Sequence, residues 1–230
     1  MKKSRKIILF LILITVGITF GYYFTNTSDV DEKNLSHVLI IDRKSGVSEQ
    51  MVPWSKDLYL KWNYFKGTVP KNNEYQAHTY TWINITSSLN DKKNATGVEF
   101  SFKSINVTSY FRDSISWVIE EQIQKSDSNE ILKHEQGHFD IAEEYAKKIE
   151  TDMRAKLMGK SFFCEGKDII ILQNCVETKK NMLRDEISNP IFSDWHDVEN
   201  NHYDPETNHG LNYSVQKLWN DRFDKLRNDR

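Results

Sequence analysis

Hydrophobic and polar positions follow three successive rhythms along the chain. Residues 7–24, IILFLILITVGITFGYYF, are 18 uncharged and mostly large apolar side chains. As a helix they rise about 27 Å, enough to cross the hydrocarbon of a bilayer. Residues 25–35 are polar and turn-rich and predict a short tether. From residue 36 to 111, β-branched and aromatic residues concentrate in short runs that predict strands over 37–41, 58–65, 77–85 and 98–107. Turn signals at Gly46, Pro53, Gly67, Pro70 and the run 90–97 separate them. Beyond Asp113 the period lengthens. Ile115, Val118, Ile119 and Ile123 recur at helical spacing, Asp127 with Glu130 resembles a capping box opening a long helix to about Leu157, and Gly159 offers a stop. Further helices are predicted over 168–187, interrupted near Pro190, and over 211–227, where Leu211, Val215, Leu218, Trp219, Phe223 and Leu226 form one packing stripe. The expected class is α+β: a transmembrane segment in residues 1–24, a tether over 25–35, and a single domain over 36–230. In that domain a small antiparallel or mixed sheet packs beside a long helix and further C-terminal helices.

Charge sharpens the first rhythm. Lys2, Lys3, Arg5 and Lys6 precede the apolar run and place the N-terminus in the cytoplasm, with everything after Phe24 outside. An uncleaved signal anchor and a cleaved signal peptide share this layout. The anchor is favoured because no Ala precedes Ala77, and Gly17 and Gly21 sit among aromatics rather than in a small-residue cleavage pattern. Setting those four aside from the 31 basic side chains leaves 27 against 33 acidic ones, net −6. That balance argues against nucleic acid as a partner, since a polyanion needs a concentrated surplus of Lys and Arg. Cys164 and Cys175 are the only two cysteines, and at an oxidising address they predict one disulfide.

The chemistry concentrates in residues 131–146, ILKHEQGHFDIAEEYA, which contain a HExxH arrangement on a predicted helix. Residues four apart differ by about 40° around a helix, so His134 and His138 project from one face and can share a tetrahedral metal. Glu135 can reach a water bound to that metal without being a ligand, and so act as general base. A third ligand is needed. Asp140 and Glu143 point away on a continuous helix, Glu143 by about 140° from His138. The ligand is therefore expected from a polar loop over 201–210, NHYDPETNHG, with His209 ranked first, Asp204 second and His202 third. Tyr203 is a candidate oxyanion donor, and His37, His78 and His196 read as structural or surface residues.

The extended string HEQGHFDIAE, with Tyr145 and Ala146, resembles exported bacterial proteins of a domain family of unknown function labelled zinc-dependent proteases, within the zincin superfamily of HExxH metallopeptidases. Further matching pieces are Trp62, Phe65, Gly67 and Pro70; Ala77, His78 and Thr79; Ser116 and Trp117; Tyr203, Asp204, Thr207, His209 and Gly210; and Gln216, Trp219 and Asn220. The resemblance spans about residues 60 to 220. It implies a mixed sheet beside an active-site helix, one zinc ion (Zn2+) at His134 and His138, Glu135 as general base, and His209 as third ligand. The expected function is a membrane-anchored extracytoplasmic zinc metallopeptidase acting on a peptide or protein substrate. The alternatives are an envelope binding or assembly protein stapled by a structural zinc, and a zinc hydrolase of a non-peptide amide.

Overall fold

The computed structural model describes residues 38–41 and 48–228, with side chains from residue 51. The apolar run 7–24, the tether and His37 lie outside the described residues. Among the described residues no helix is long and apolar enough to cross a membrane.

The fold is α+β, as expected. Strand β5 (Gly97–Arg112) is its spine. It pairs along its whole length with β4 (Thr81–Lys93), with a register shift at Ser88/Leu89. Its other edge is shared: β2 (Ser48–Pro53) pairs with residues 110–112, and β7 (Ser161–Glu165) pairs with residues 97–101, all antiparallel. Strand β1 (Val38–Ile41) adds beyond β2. Between β2 and β7 the guanidinium of Arg154 donates to the Ile105 carbonyl at 2.6 Å. Residues 98–107 are thus covered by β4 on one side and, as far as Ser101, by β7 on the other; among the described residues β4 is one of the outermost strands, with β1 and β7. A separate two-stranded ribbon joins β3 (Ala77–His78) to β6 (Trp117–Val118).

Helix α2 (Ser128–Leu157) lies across this sheet. Ile141, Tyr145, Ala146, Ile149 and Met153 recur at i, i+3 and i, i+4 spacing and are buried with Ile83, Phe102, Ile105 and Val107 of the two long strands. Helix α3 (Ile169–Asp197) closes the same core through Ile187, Ile191 and Trp195. Those three buried side chains flank Pro190, and their packing carries the helix past a proline that was expected to interrupt it. The Cys164–Cys175 disulfide is present and ties β7 to α3 beside Val98, Phe100 and Leu172. A disulfide fits an oxidising, extracytoplasmic location.

Several expectations give way to tertiary context. The run 58–65 is not a strand; it holds a 3-10 turn at Trp62–Tyr64. The helical spacing over 115–123 yields β6 and a four-residue α1 (Glu120–Ile123), because Trp117 and Val118 take up sheet pairing with His78 and Ala77. No capping box forms: the Asp127 side chain makes no cap and accepts instead from Gln122 Nε2 at 2.8 Å. The run 201–210 is mostly helical rather than a loop. A π-turn (Val198–Tyr203) continues α3 into α4 (Asp204–Thr207), and α5 (Tyr213–Asn228) follows. On the α5 stripe Phe223 is buried, while Leu211 and Leu218 face solvent.

Candidate metal centre

His134 and His138 lie on one face of α2 because four helical residues return nearly to the starting azimuth. Their Nε2 atoms converge on one oxygen, Asp204 Oδ1, at 3.2 and 3.0 Å. The three donor atoms lie within 4.8 Å of one another. Ligands at 2.0–2.1 Å from a tetrahedral zinc are about 3.3 Å apart, so both measured spacings suit such an ion. Oδ1 is buried and makes no properly angled hydrogen bond, although two nitrogens press against it. Burial would raise the Asp204 carboxyl, but the two imidazoles outweigh it and hold the group well below the usual carboxylate range. Burial would lower His138, yet Asp204 and Glu199 raise it well above an ordinary histidine. An orphaned oxygen facing two ring nitrogens is a donor set that could hold a metal ion.

The far side of each ring is fixed. His134 Nδ1 lies 3.2 Å from Gln216 Oε1 and 3.2 Å from Thr207 Oγ1, and His138 Nδ1 lies 3.4 Å from Glu199 Oε1. Partners on Nδ1 orient the ring and leave Nε2 for a ligand. Glu199 and Asp204 are five residues apart, a spacing that in an α-helix would separate them by about 140°. The π-turn lies between them, and its wider i→i+5 turn brings both carboxylates onto His138.

Two glycines let the backbone close on this group. A Cβ on Gly137 would stand 1.8 Å from the Tyr203 hydroxyl, and one on Gly210 would stand 2.8 Å from His134 Cβ. Tyr203 is fully buried, its ring stacked on His134 at 4.7 Å. Its hydroxyl donates to the His134 carbonyl at 2.9 Å and accepts from Gln216 Nε2 at 2.9 Å. That hydroxyl is committed beneath the helix and does not reach the open side, so it does not take the oxyanion role expected of it.

Glu135 is only 4% exposed, and its Oε2 has no hydrogen-bond partner among the described residues. The excluded acids have their own work. Asp140 accepts from Trp54 Nε1 at 2.7 Å and pairs with Arg227; burial lifts its pKa to about 6 against the pull of Arg227, Trp54 and Gln136. Glu143 accepts from Ser109 at 2.8 Å.

The third member of the group that could hold a metal is Asp204, the second-ranked candidate. Asp204 enters the group because α4 starts at that residue, with Pro205 in its first turn. First-ranked His209 stands at the rim, Nδ1 4.0 Å from Asp204 Oδ1. His202 is exposed and pairs with Glu206 at 3.2 Å and Asp197 at 3.7 Å, apart from the group. Gln216, Thr207 and Glu199 went unassigned as orienting residues. Gln216 and Thr207 had one available signal, polar side chains among apolar packing positions; Glu199 had none short of the π-turn.

A cavity of about 200 Å3 includes His138 and Asp204 of the group in its lining, together with His78, Tyr80, Thr81, His196, Glu199 and Asn200. His78 and His196, read from sequence as structural or surface residues, thus line the site. Burial lowers the pKa of His78, with Glu135 the strongest charge opposing it. The chain matches no protein-family model, no curated protein and no solved structure.

Proposed function

We propose that this chain is a zinc-dependent peptidase of the zincin kind, working outside the cytoplasm. The observation that carries the reading is Glu135: a purely structural metal staple has no use for a buried carboxyl oxygen without a partner beside its ligands, whereas a hydrolase does.

His134, His138 and Asp204 would hold the zinc, which when bound supplies Lewis-acid polarisation of a carbonyl and a water of lowered pKa. Glu135 Oε2 accepts the proton of the attacking water and returns it to the departing amine nitrogen. Gln216, Thr207 and Glu199 keep both imidazoles presenting Nε2. Substrate alignment falls to β4, an outermost strand whose first residue, Thr81, lines the cavity. An extended peptide added to that edge would be led to the group by main-chain hydrogen bonds. In this reading residues 7–24 export or anchor the domain.

Zinc content of the purified full chain, together with cleavage of an unfolded protein substrate, tests the proposal. Glu135→Gln is expected to keep about one zinc per chain and to lose cleavage by a factor of at least 10². If Glu135→Gln cleaves like wild type, or if wild type takes up no zinc at saturating metal, the reading fails.

A further inference from the structure

Helix α4 ends in an unusual way. Asn208, His209 and Gly210 all have positive φ, at 48°, 50° and 86°. Asn at the first of these is an ordinary left-handed helix end, and Gly at the third is free to adopt it. His at the second is neither, and a helix end does not call for a second left-handed residue. The turn is held from several directions: His209 N–H donates to the Asp204 carbonyl at 3.1 Å, Leu211 N–H to Asn208 at 3.1 Å, and Asn212 N–H to Thr207 at 2.7 Å. Gly210 is pressed against His134 Cβ. The backbone is thus locked to one proposed ligand, His134, while the side chain of residue 209 is turned back toward another, Asp204.

The ring so placed is idle. It packs on Tyr75 at 4.6 Å between centroids and makes no side-chain hydrogen bond among the described residues. Its Nδ1 lies 4.0 Å from Asp204 Oδ1, beyond hydrogen-bonding reach, and 36% of the side chain is open to solvent. Its centroid is 5.9 Å from that of His134. Strained backbone that holds an unpartnered imidazole beside a reactive group is characteristic of functional positions.

We infer that His209 is a substrate-facing hydrogen-bond donor, placed to bind the carbonyl oxygen of the scissile peptide as negative charge develops on it, and is not a zinc ligand. The inference rests on the peptidase reading. Tyr75 and the left-handed turn hold the ring in place beside Asp204, so its donation would need little reorganisation.

The test compares wild-type full chain with His209→Asn and His209→Gln. Asn tolerates the left-handed backbone and is too short to reach, whereas Gln restores a donor at greater length. Three readouts are taken: zinc affinity by competition with a chelator, kcat and KM on a peptide, and affinity of the zinc-loaded chain for a phosphonate peptide that mimics the tetrahedral geometry. His209→Asn is expected to bind zinc within about threefold of wild type, lose about 10²-fold in kcat with KM little changed, and lose phosphonate affinity in proportion; His209→Gln recovers part of each loss. A tenfold or greater drop in zinc affinity makes His209 a ligand and overturns the inference. Unchanged kcat and phosphonate affinity overturn it too. A wild type that binds zinc and the phosphonate but cleaves no peptide defeats the peptidase reading, and the phosphonate comparison still decides the role of His209.

Discussion

Replacing Gly137 by Ala reverses the sign that helix propensity alone predicts. In an exposed helix interior, Gly→Ala stabilises by about 1 kcal/mol. At this position the new methyl would stand 1.8 Å from the Tyr203 hydroxyl, 2.5 Å from its Cζ and 3.0 Å from a Phe223 ring carbon. Tyr203 is fully buried and cannot swing into solvent, so it must shift by more than an ångström. The shift breaks the bonds to the His134 carbonyl and Gln216, at about 1 kcal/mol each. Overpacking adds roughly 1–3 kcal/mol. After the propensity gain is deducted, Gly137→Ala should destabilise by about 2–4 kcal/mol. Urea unfolding of the metal-free protein, followed by far-UV circular dichroism, measures this without a contribution from zinc. Adding Tyr203→Phe removes the atom in closest conflict, so the double variant should be more stable than the sum of the two single changes allows, by about 1 kcal/mol or more. A Gly137→Ala protein as stable as wild type would refute the proposed packing of α2 against the π-turn.

Two further changes probe the frame around the site. Substituting Cys164 and Cys175 together by Ala should cost roughly 3 kcal/mol and lower the melting temperature, with amide exchange in β7 accelerating more than in the β4–β5 pair; equal stability with and without reductant would count against it. Asp140→Asn leaves Arg227 buried without its counter-charge, although that guanidinium also donates to the carbonyls of Ser55, Lys56 and Leu58. About 3 kcal/mol of destabilisation is expected in the same urea assay, and less than 1 would show that those carbonyls suffice.

The legible part of this molecule was its local periodicity. His134 and His138 share a face because of a spacing of four, which a helix guarantees wherever it packs. The stripe Ile141, Tyr145, Ala146, Ile149 and Met153 belongs to the same helix and finds the sheet by the same rule. Asp204 was harder to rank, because residues 201–210 have the polarity of a loop and only the packing of Tyr203 and Thr207 under α2 makes them helical. The π-turn leaves no periodic signature, so the partnership of Glu199 with His138 became visible only in three dimensions. The run with Ile115, Val118, Ile119 and Ile123 departs from its periodicity for a related reason. Its helical spacing is real, but the pairing of Trp117 and Val118 with β3 outcompetes it. The length of β4 was likewise hidden, since in its outer half, Ser87 to Lys93, every residue but Leu89 is polar.

The order in which the chain visits these positions has a mechanical consequence. A cation held by His134, His138 and Asp204 would join α2 to α4 across 66 residues, and the Cys164–Cys175 link lies wholly inside that span. The covalent link shortens the larger ring by only eleven residues, which alters its closure entropy by about 0.2 kcal/mol. The two fastenings are therefore nested yet nearly independent. Chelation would loosen the segment from α4 onward without loosening β7, and reduction would loosen β7 without slackening the grip of α2 on Asp204.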